Sequence, residues 1–81
     1  EDLVQKDVAT IDQHNRLIYI NIENPITQIN VDVYNLFGQS ISHNILHESH
    51  SKLELSLIPS GIYILQVSTG NKKQSKIIVI Q

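Results

Sequence analysis

The chain has no cysteine, methionine or tryptophan, and its 81 residues include only three glycines and two prolines. The absence of cysteine excludes disulfide bonds, thiolate metal ligands and a cysteine nucleophile, and it suits passage through an oxidising compartment. Positive charge is also scarce, since six Lys and Arg against eight Asp and Glu give a net charge of −2. Without a basic stripe to neutralise phosphates, we expect no nucleic-acid partner. No apolar run approaches the ~20 residues of a membrane helix, so we expect no membrane insertion.

The length of the chain suits one small domain, which would bury about 60% of its unfolded surface. No signal peptide is visible in the sequence. Because the chain begins with Glu1 rather than Met, we expect it to be a piece of a larger precursor. Any N-terminal export signal would then lie on the missing part.

Apolar residues recur mostly at every second position, which is the spacing of half-buried strands. The clearest segments are residues 17–22 and 28–36. Their core-facing positions are predicted to be Ile18, Ile20, Ile22, Ile29, Val31 and Val33. A third segment is predicted to be a one-sided strand, with Leu53, Leu55 and Leu57 on its apolar face.

Four further segments complete the predicted strands. Residues 62–67 are apolar on both faces, which predicts a central strand covered above and below. Residues 77–80 are apolar throughout, and residues 4–11 and 40–45 predict weaker strands. Turn signals separate these runs at residues 23–25, 37–39, 47–51, 59–61 and 69–71. We therefore predict an all-β fold, a small antiparallel immunoglobulin-like β-sandwich of about seven strands.

Three histidines lie close together in the sequence and raise the question of a metal site. His43, His47 and His50 could supply imidazoles to zinc, but the stretch is predicted to be a strand end and a loop, and Glu48 is its nearest carboxylate. We favour solvated histidines and predict no metal. His14 is isolated, in what is predicted to be a polar turn.

Catalytic patterns are missing from the sequence. Ser60 precedes a glycine but lacks the G-x-S-x-G context, and no pair of carboxylates stands out. The three scattered glycines form no phosphate-binding loop. We expect no enzyme activity and no cofactor. An accessory binding module of fibronectin or carbohydrate-binding type stays open as an alternative. An aromatic platform for sugar would have to come from Tyr19, Tyr34, Phe37 and Tyr63.

Three phrases of the sequence resemble one family. Residues 31–39 (VDVYNLFGQ) resemble a V-x-V-Y-N-x-x-G-Q strand and turn, in which Gly38 and Gln39 make the turn. Residues 55–63 (LSLIPSGIY) are similar to L-S-x-L-P-x-G-I-Y with one shift in the leucines, and residues 76–80 (KIIVI) to a basic-led last strand. In this order and spacing they resemble the C-terminal sorting domains of the type IX secretion system. Family members often begin with a Pro-Asn-Pro element, in place of which this chain has residues 12–16 (DQHNR).

The resemblance implies a secretion route for the chain. It implies a cargo protein N-terminal to residues 17–81, a sorting domain there, and a linker or first edge strand at residues 1–16. It also implies transit through the periplasm, recognition by the type IX translocon and its shuttle proteins, and removal by a surface sortase, with release or display at the cell surface.

The expected recognition surface combines a turn with the last strand. If that strand lies at a sheet edge, its unpaired backbone groups are available to a partner, and Lys72, Lys73 and Lys76 guard the edge against aggregation. Deleting residues 76–81 is expected to abolish export, and a strand-exchanged homodimer is a further expectation. The residues expected to contact the translocon or sortase are Pro59, Gly61, Tyr63, Lys76, Ile77, Ile78, Val79, Ile80 and Gln81.

Overall fold

A computed structural model of the protein describes residues 9–22 and 28–81. Within them the chain forms seven β-strands and no helix. The strands are β1 (Thr10–His14), β2 (Leu17–Asn21), β3 (Ile29–Tyr34), β4 (Ser40–Leu46), β5 (His50–Glu54), β6 (Gly61–Thr69) and β7 (Lys72–Ile80). None of the described residues therefore belongs to a helix long and apolar enough to cross a membrane.

The strands form two antiparallel sheets that pack face to face. One sheet has the order β1-β2-β5, and the other has the order β4-β3-β6-β7. In the second sheet β6 lies between two neighbours and β7 lies at the edge. The all-β sandwich predicted from the alternating pattern is confirmed.

The core lies between the two sheets and is built from the inward residues of each strand. The predicted core faces of β2 and β3 are confirmed, because every second residue there is buried. The alternation works because successive side chains of a strand point to opposite faces. The least exposed large side chains are Ile18, Ile20, Ile29, Val31, Val33, Leu65, Val67, Ile78 and Ile80.

The prediction of a one-sided strand through Leu57 is wrong. β5 ends at Glu54, and Leu57 is 97% exposed, whereas Ile58 is buried. A turn closed by a hydrogen bond from the Ile58 amide to the Leu55 carbonyl (3.3 Å) replaces the extended chain. The turn ends the period of two, so Ile58 rather than Leu57 enters the core.

The prediction that β6 is covered on both faces is also wrong. Ile62 is 49% exposed and Ile64 is half-buried, while Leu65 and Val67 are buried. A two-layer sandwich leaves one face of each sheet to solvent, so β6 is interior to its sheet but covered on one face.

Smaller differences concern the first residues and the turns. Residues 4–8 and the turn at 23–25 lie outside the described residues, and β1 continues to His14. His14 is therefore in a strand, and the turn after it consists of Asn15, with a φ of 54°, and Arg16. Asparagine tolerates this left-handed conformation better than most residues, which suits a short hairpin.

Candidate recognition surface

One end of the sandwich gathers four segments that are distant in the sequence. In the larger sheet Tyr34 lies opposite Ile64, and Gly61 lies opposite Ile80. The end of β3, the start of β6 and the end of β7 are therefore neighbours. We call this end the loop end. It consists of residues 15–16, 35–39, 55–60 and Gln81.

Arg16 connects three of these four segments, namely its own turn, the β5–β6 connection and Gln81. Its guanidinium donates to five oxygens of the β5–β6 connection and of Gln81. The acceptors are the main-chain oxygens of Leu55 (3.1 Å), Ser56 (3.5 Å), Ile58 (2.5 Å) and Gln81 (3.1 Å) and the Ser60 hydroxyl (3.5 Å). Among the described residues no Asp or Glu side chain pairs with Arg16. The planar fork of guanidinium donors instead distributes its hydrogen bonds over four main-chain oxygens and one hydroxyl.

Sequence reasoning did not identify Arg16 as important. It is the chain's single arginine and directly follows the turn residue Asn15. That position gives a weak signal, because nothing in the local sequence indicates acceptors forty residues away. The Leu55 amide also donates to the Arg16 carbonyl (2.8 Å), which anchors the connection to the β1–β2 turn from both sides.

The predicted turn residues of the recognition surface differ in exposure. Pro59 is exposed, Gly61 is half-buried and Tyr63 is buried. The Tyr63 hydroxyl donates to the Pro59 carbonyl at 2.7 Å. Tyr63 therefore holds the turn from beneath, while Pro59 is accessible.

The predicted residues of β7 also divide into two sets. Ile78 and Ile80 point into the core, whereas Ile77 and Val79 are exposed on the outer face of the sheet. Lys76 is exposed, and its ammonium donates to the Ile11 carbonyl of β1 at 3.3 Å. A partner that meets the outer face would thus contact Ile77 and Val79.

The exposed residues of β7 continue an apolar patch on the outer face of the larger sheet. Cross-strand pairing places Ile64 between Tyr34 and Ile77, and it places Ile62 opposite Val79. These five residues form a patch beside the loop end, which we call the outer patch. An exposed apolar patch beside a sheet edge is typical of a protein-binding surface.

The edge of β7 is partly covered by β1 of the other sheet. Four side-chain bonds connect them in parallel order. They join the Ala9 amide to Gln74 Oε1 (2.7 Å), Lys76 to the Ile11 carbonyl (3.3 Å), Gln13 Nε2 to the Val79 carbonyl (2.8 Å) and the Gln81 amide to Asn15 Oδ1 (3.3 Å). The side chains replace a backbone ladder, so the two sheets are joined without closing a barrel.

The 35–39 turn is built by its own polar groups. Asn35 Oδ1 accepts from the amides of Phe37 and Gln39, and Asn35 Nδ2 donates to Gln39 Oε1, each at 3.0 Å. Gly38 has a φ of 83°, a left-handed conformation that strains residues with a Cβ. Gly38 and Gln39 thus make this turn, as their position between two strands indicates.

The histidines do not come together. His43 hydrogen-bonds Asp32 in the larger sheet, and His50 hydrogen-bonds Asn21 in the smaller sheet. Within residues 9–22 and 28–81 no group of three His, Asp or Glu side chains could hold a metal ion. The four aromatic residues are also dispersed. Tyr63 is buried, and Tyr19 in the smaller sheet packs edge-on against His14. Phe37 lies in the β3–β4 turn of the larger sheet.

Known proteins resemble this chain in both sequence and fold. The family described as the secretion system C-terminal sorting domain matches residues 14–81, which is well over half of the chain. The chain belongs to this family. As a member it is a C-terminal sorting signal of the type IX secretion system, which implies export to the cell surface or beyond and contact with the secretion machinery as part of a cargo protein. The family is a sorting signal rather than an enzyme family.

A solved structure has a similar fold. It is a DUF3244 family protein with an immunoglobulin-like β-sandwich fold from Bacteroides vulgatus, with a TM-score of 0.80 and 10% sequence identity. The alignment covers 91% of this chain and 84% of that one. At this identity the likeness establishes the immunoglobulin-like fold of the sorting domain. A search among curated proteins finds no match.

Proposed function

We propose that this sorting domain is a non-catalytic label. In this proposal a periplasmic precursor carries the domain C-terminal to its cargo, shuttle proteins and the translocon take it across the outer membrane, and a surface sortase then removes it. The sorting-domain family supports this route, and the described residues offer an exposed apolar surface on the outer face of β7. The domain is then a substrate of the machinery and catalyses nothing itself.

The proposed recognition surface is the outer patch together with the turn at residues 59–61. The observation that supports it is the Arg16 guanidinium, which hydrogen-bonds both Ile58 and Gln81 and so fixes the turn relative to β7. The turn at residues 59–61 and the strand β7, which are separate in the sequence, then form one rigid surface for a partner. Such preorganisation favours binding, because little conformational entropy is lost when the partner docks. We also propose that two copies can form a homodimer by exchanging the apolar strand β7, which size-exclusion chromatography would detect.

The decisive experiment is an export assay. Residues 1–81 are fused to the C-terminus of a periplasm-directed fluorescent protein, in a bacterium with a type IX system and in its translocon-deficient twin. We expect fluorescence on the surface or in the medium of the competent strain alone. Retention of a folded, intact fusion in the periplasm of both strains would contradict the proposal.

Point substitutions test the outer patch better than deletion of residues 76–81. The deletion would remove Ile78 and Ile80, which are core residues, so lost export would not separate recognition from folding. The double change Ile77→Ser and Val79→Thr leaves the core intact and should reduce export. Ile45→Thr, on the same sheet face but opposite Asn30 and far from β7, is the matched control. Equal export by both variants would exclude the outer patch.

A further inference from the structure

Three large apolar side chains of the loop end project into solvent. Phe37 is 94% exposed, Leu57 is 97% exposed, and Leu36 is 62% exposed. They come from two connections at the same end of the sandwich, because Tyr34, the last residue of β3, lies opposite Ile64 near the start of β6. Isolated exposed leucines are ordinary on protein surfaces, but three apolar side chains at one end, two of them almost fully exposed, form a distinctive set.

The first connection holds its apolar residues rigidly. Besides the Asn35 side-chain bonds, the Asn35 amide donates to the Gln39 carbonyl and the Gly38 amide to the Asn35 carbonyl, both at 3.0 Å. The polar residues of the turn thus bond one another. The side chains of Leu36 and Phe37, which lie between them, make none of these bonds and are exposed.

The second connection follows the same plan with different residues. Arg16 binds its carbonyls, and Tyr63 binds Pro59. Ile58 enters the core and anchors the connection, while its neighbour Leu57 is left outside. Here too the polar groups are used within the protein, and an apolar side chain is presented.

We propose that Leu36, Phe37 and Leu57 are apolar anchors that insert into apolar pockets of a protein component of the export machinery. The inference rests on the proposed sorting function and extends the contact from the outer patch to the tips of the loops. Large side chains held in place by rigid loops lose little entropy on binding, and such residues dominate the binding energy of protein interfaces.

Charge favours a protein over a membrane as the occupant. Stable adsorption to an anionic membrane needs cations beside the apolar residues. The Arg16 guanidinium is occupied by five acceptors, and Lys72 and Lys73 flank the β6–β7 turn at the opposite end. In β5, the exposed Glu54 and the exposed Lys52 two residues before it carry opposite charges. The described residues of the loop end thus present three apolar side chains, and their one cation, Arg16, is already bonded within the protein.

The test compares the fusion of residues 1–81 with its double variant Phe37→Ser and Leu57→Ser in the export assay. We expect the variant to be exported at least about tenfold less, as hot-spot truncation predicts. Its melting temperature should stay within about 2 °C of the parent, because both side chains are exposed. Ile45→Ser is the matched control and should be exported like the parent. If the double variant melts early, Phe37→Ala and Leu57→Ala are assayed singly.

The outcomes separate this inference from the proposed function. If the parent fusion is not exported, the sorting proposal itself fails. If the parent and the double variant are exported equally, sorting stands and the anchors are refuted. Two further measurements can also overturn the inference. Sedimentation of the parent, but not the variant, with phosphatidylethanolamine–phosphatidylglycerol vesicles would indicate a lipid occupant. A parent dimer that the double substitution dissociates would indicate a second copy.

Discussion

Arg16 and Gln81 lie 65 positions apart in the sequence, and the guanidinium of one donates to the main-chain oxygen of the other at 3.1 Å. The same guanidinium reaches Ile58 in the β5–β6 connection. A single side chain therefore couples a hairpin turn of the smaller sheet to β7 of the larger one. This coupling adds a polar connection between the two sheets to the apolar core that lies between them.

Replacing Arg16 should destabilise the domain. Arg16→Met leaves the part-buried carbonyls of Leu55 and Ile58 without their donor, which should cost about 2–3 kcal/mol in the free energy of unfolding. Arg16→Lys should recover only part of this, because an ammonium lacks the planar fork. Urea unfolding measures the effect. Lys52→Gln, at an exposed site in β5, is the control and should stay within about 0.5 kcal/mol. Parental stability of Arg16→Met would show that the clamp is dispensable.

Neighbouring isoleucines of β7 should respond very differently to truncation. Ile78 is 1% exposed and Ile77 is 67% exposed. Ile78→Ala should cost about 2–5 kcal/mol through lost burial and the cavity left behind. Ile77→Ala should cost well under 1 kcal/mol. The pair is self-controlled, since both changes remove the same atoms from the same strand. Similar urea midpoints for the two variants would mean that the register of β7 is wrong.

The sequence predicts β2 and β3 well because each buries one face along its whole length. In β2 and β3 a strict alternation leaves one register that buries the isoleucines and valines. For residues 62–67 the pattern is ambiguous, because apolar residues on both faces of a strand look the same whether the outer face is covered by another layer or is left exposed. Ile62, Ile77 and Val79 of the outer patch are exposed, so burial in the core does not explain why they are apolar.

The long-range parts of the loop end were beyond prediction. Leu57 continues the leucine alternation, and only the turn closed by Ile58 and Leu55 interrupts it. The bonds of Arg16 depend on sheet packing that brings together residues about forty to sixty-five positions apart. The three phrases that indicated the family nevertheless meet at this end. Local motifs thus locate the surface, and tertiary structure decides which of their residues are exposed.

Substitution of Gly38 should destabilise the domain through backbone strain and not through a steric clash. A Cβ built on it meets nothing within 4 Å, but its φ is 83°. Gly38→Ala should therefore cost about 1–2 kcal/mol in the free energy of unfolding from conformational strain alone. Gly38→Asn should cost less, because asparagine enters the left-handed region more readily. Thermal unfolding ranks the two variants, and an equal loss would point to a steric cause instead.

Tyr63→Phe should loosen the proposed turn of the recognition surface without disturbing the core. The change removes one hydroxyl, which donates to the Pro59 carbonyl at 2.7 Å, and it keeps the buried ring. We expect a loss of about 0.5–1.5 kcal/mol in the free energy of unfolding. Tyr34→Phe is the control, since Tyr34 lies half-buried on the outer face. A Tyr63→Phe domain as stable as the control variant would show that the hydroxyl does not hold the turn.

Amide hydrogen exchange should reveal how much of the β7 edge is open to a partner. The Val79 carbonyl bonds to Gln13 of β1, and the Gln81 amide bonds to Asn15 in the turn after β1. Successive residues of a strand direct their backbone groups to opposite sides, so the odd-numbered residues of β7 direct theirs away from β6, and Ile78, opposite Tyr63, directs its own toward β6. The Ile78 amide should then exchange at least about a hundredfold more slowly than the Ile77 amide, because the first is held by the ladder and the second opens to solvent at little cost.

The side chains that bridge β1 and β7 supply the matched test of this interpretation. Gln13→Ala removes the donor to the Val79 carbonyl and leaves the antiparallel ladder between β6 and β7 in place. The Gln81 amide, bonded to Asn15 beside it, should lose protection in this variant, while the Ile78 amide should keep it. Slow exchange at Ile77 in the parent would mean that its amide has a partner, and the outer edge could then not accept a strand from the export machinery.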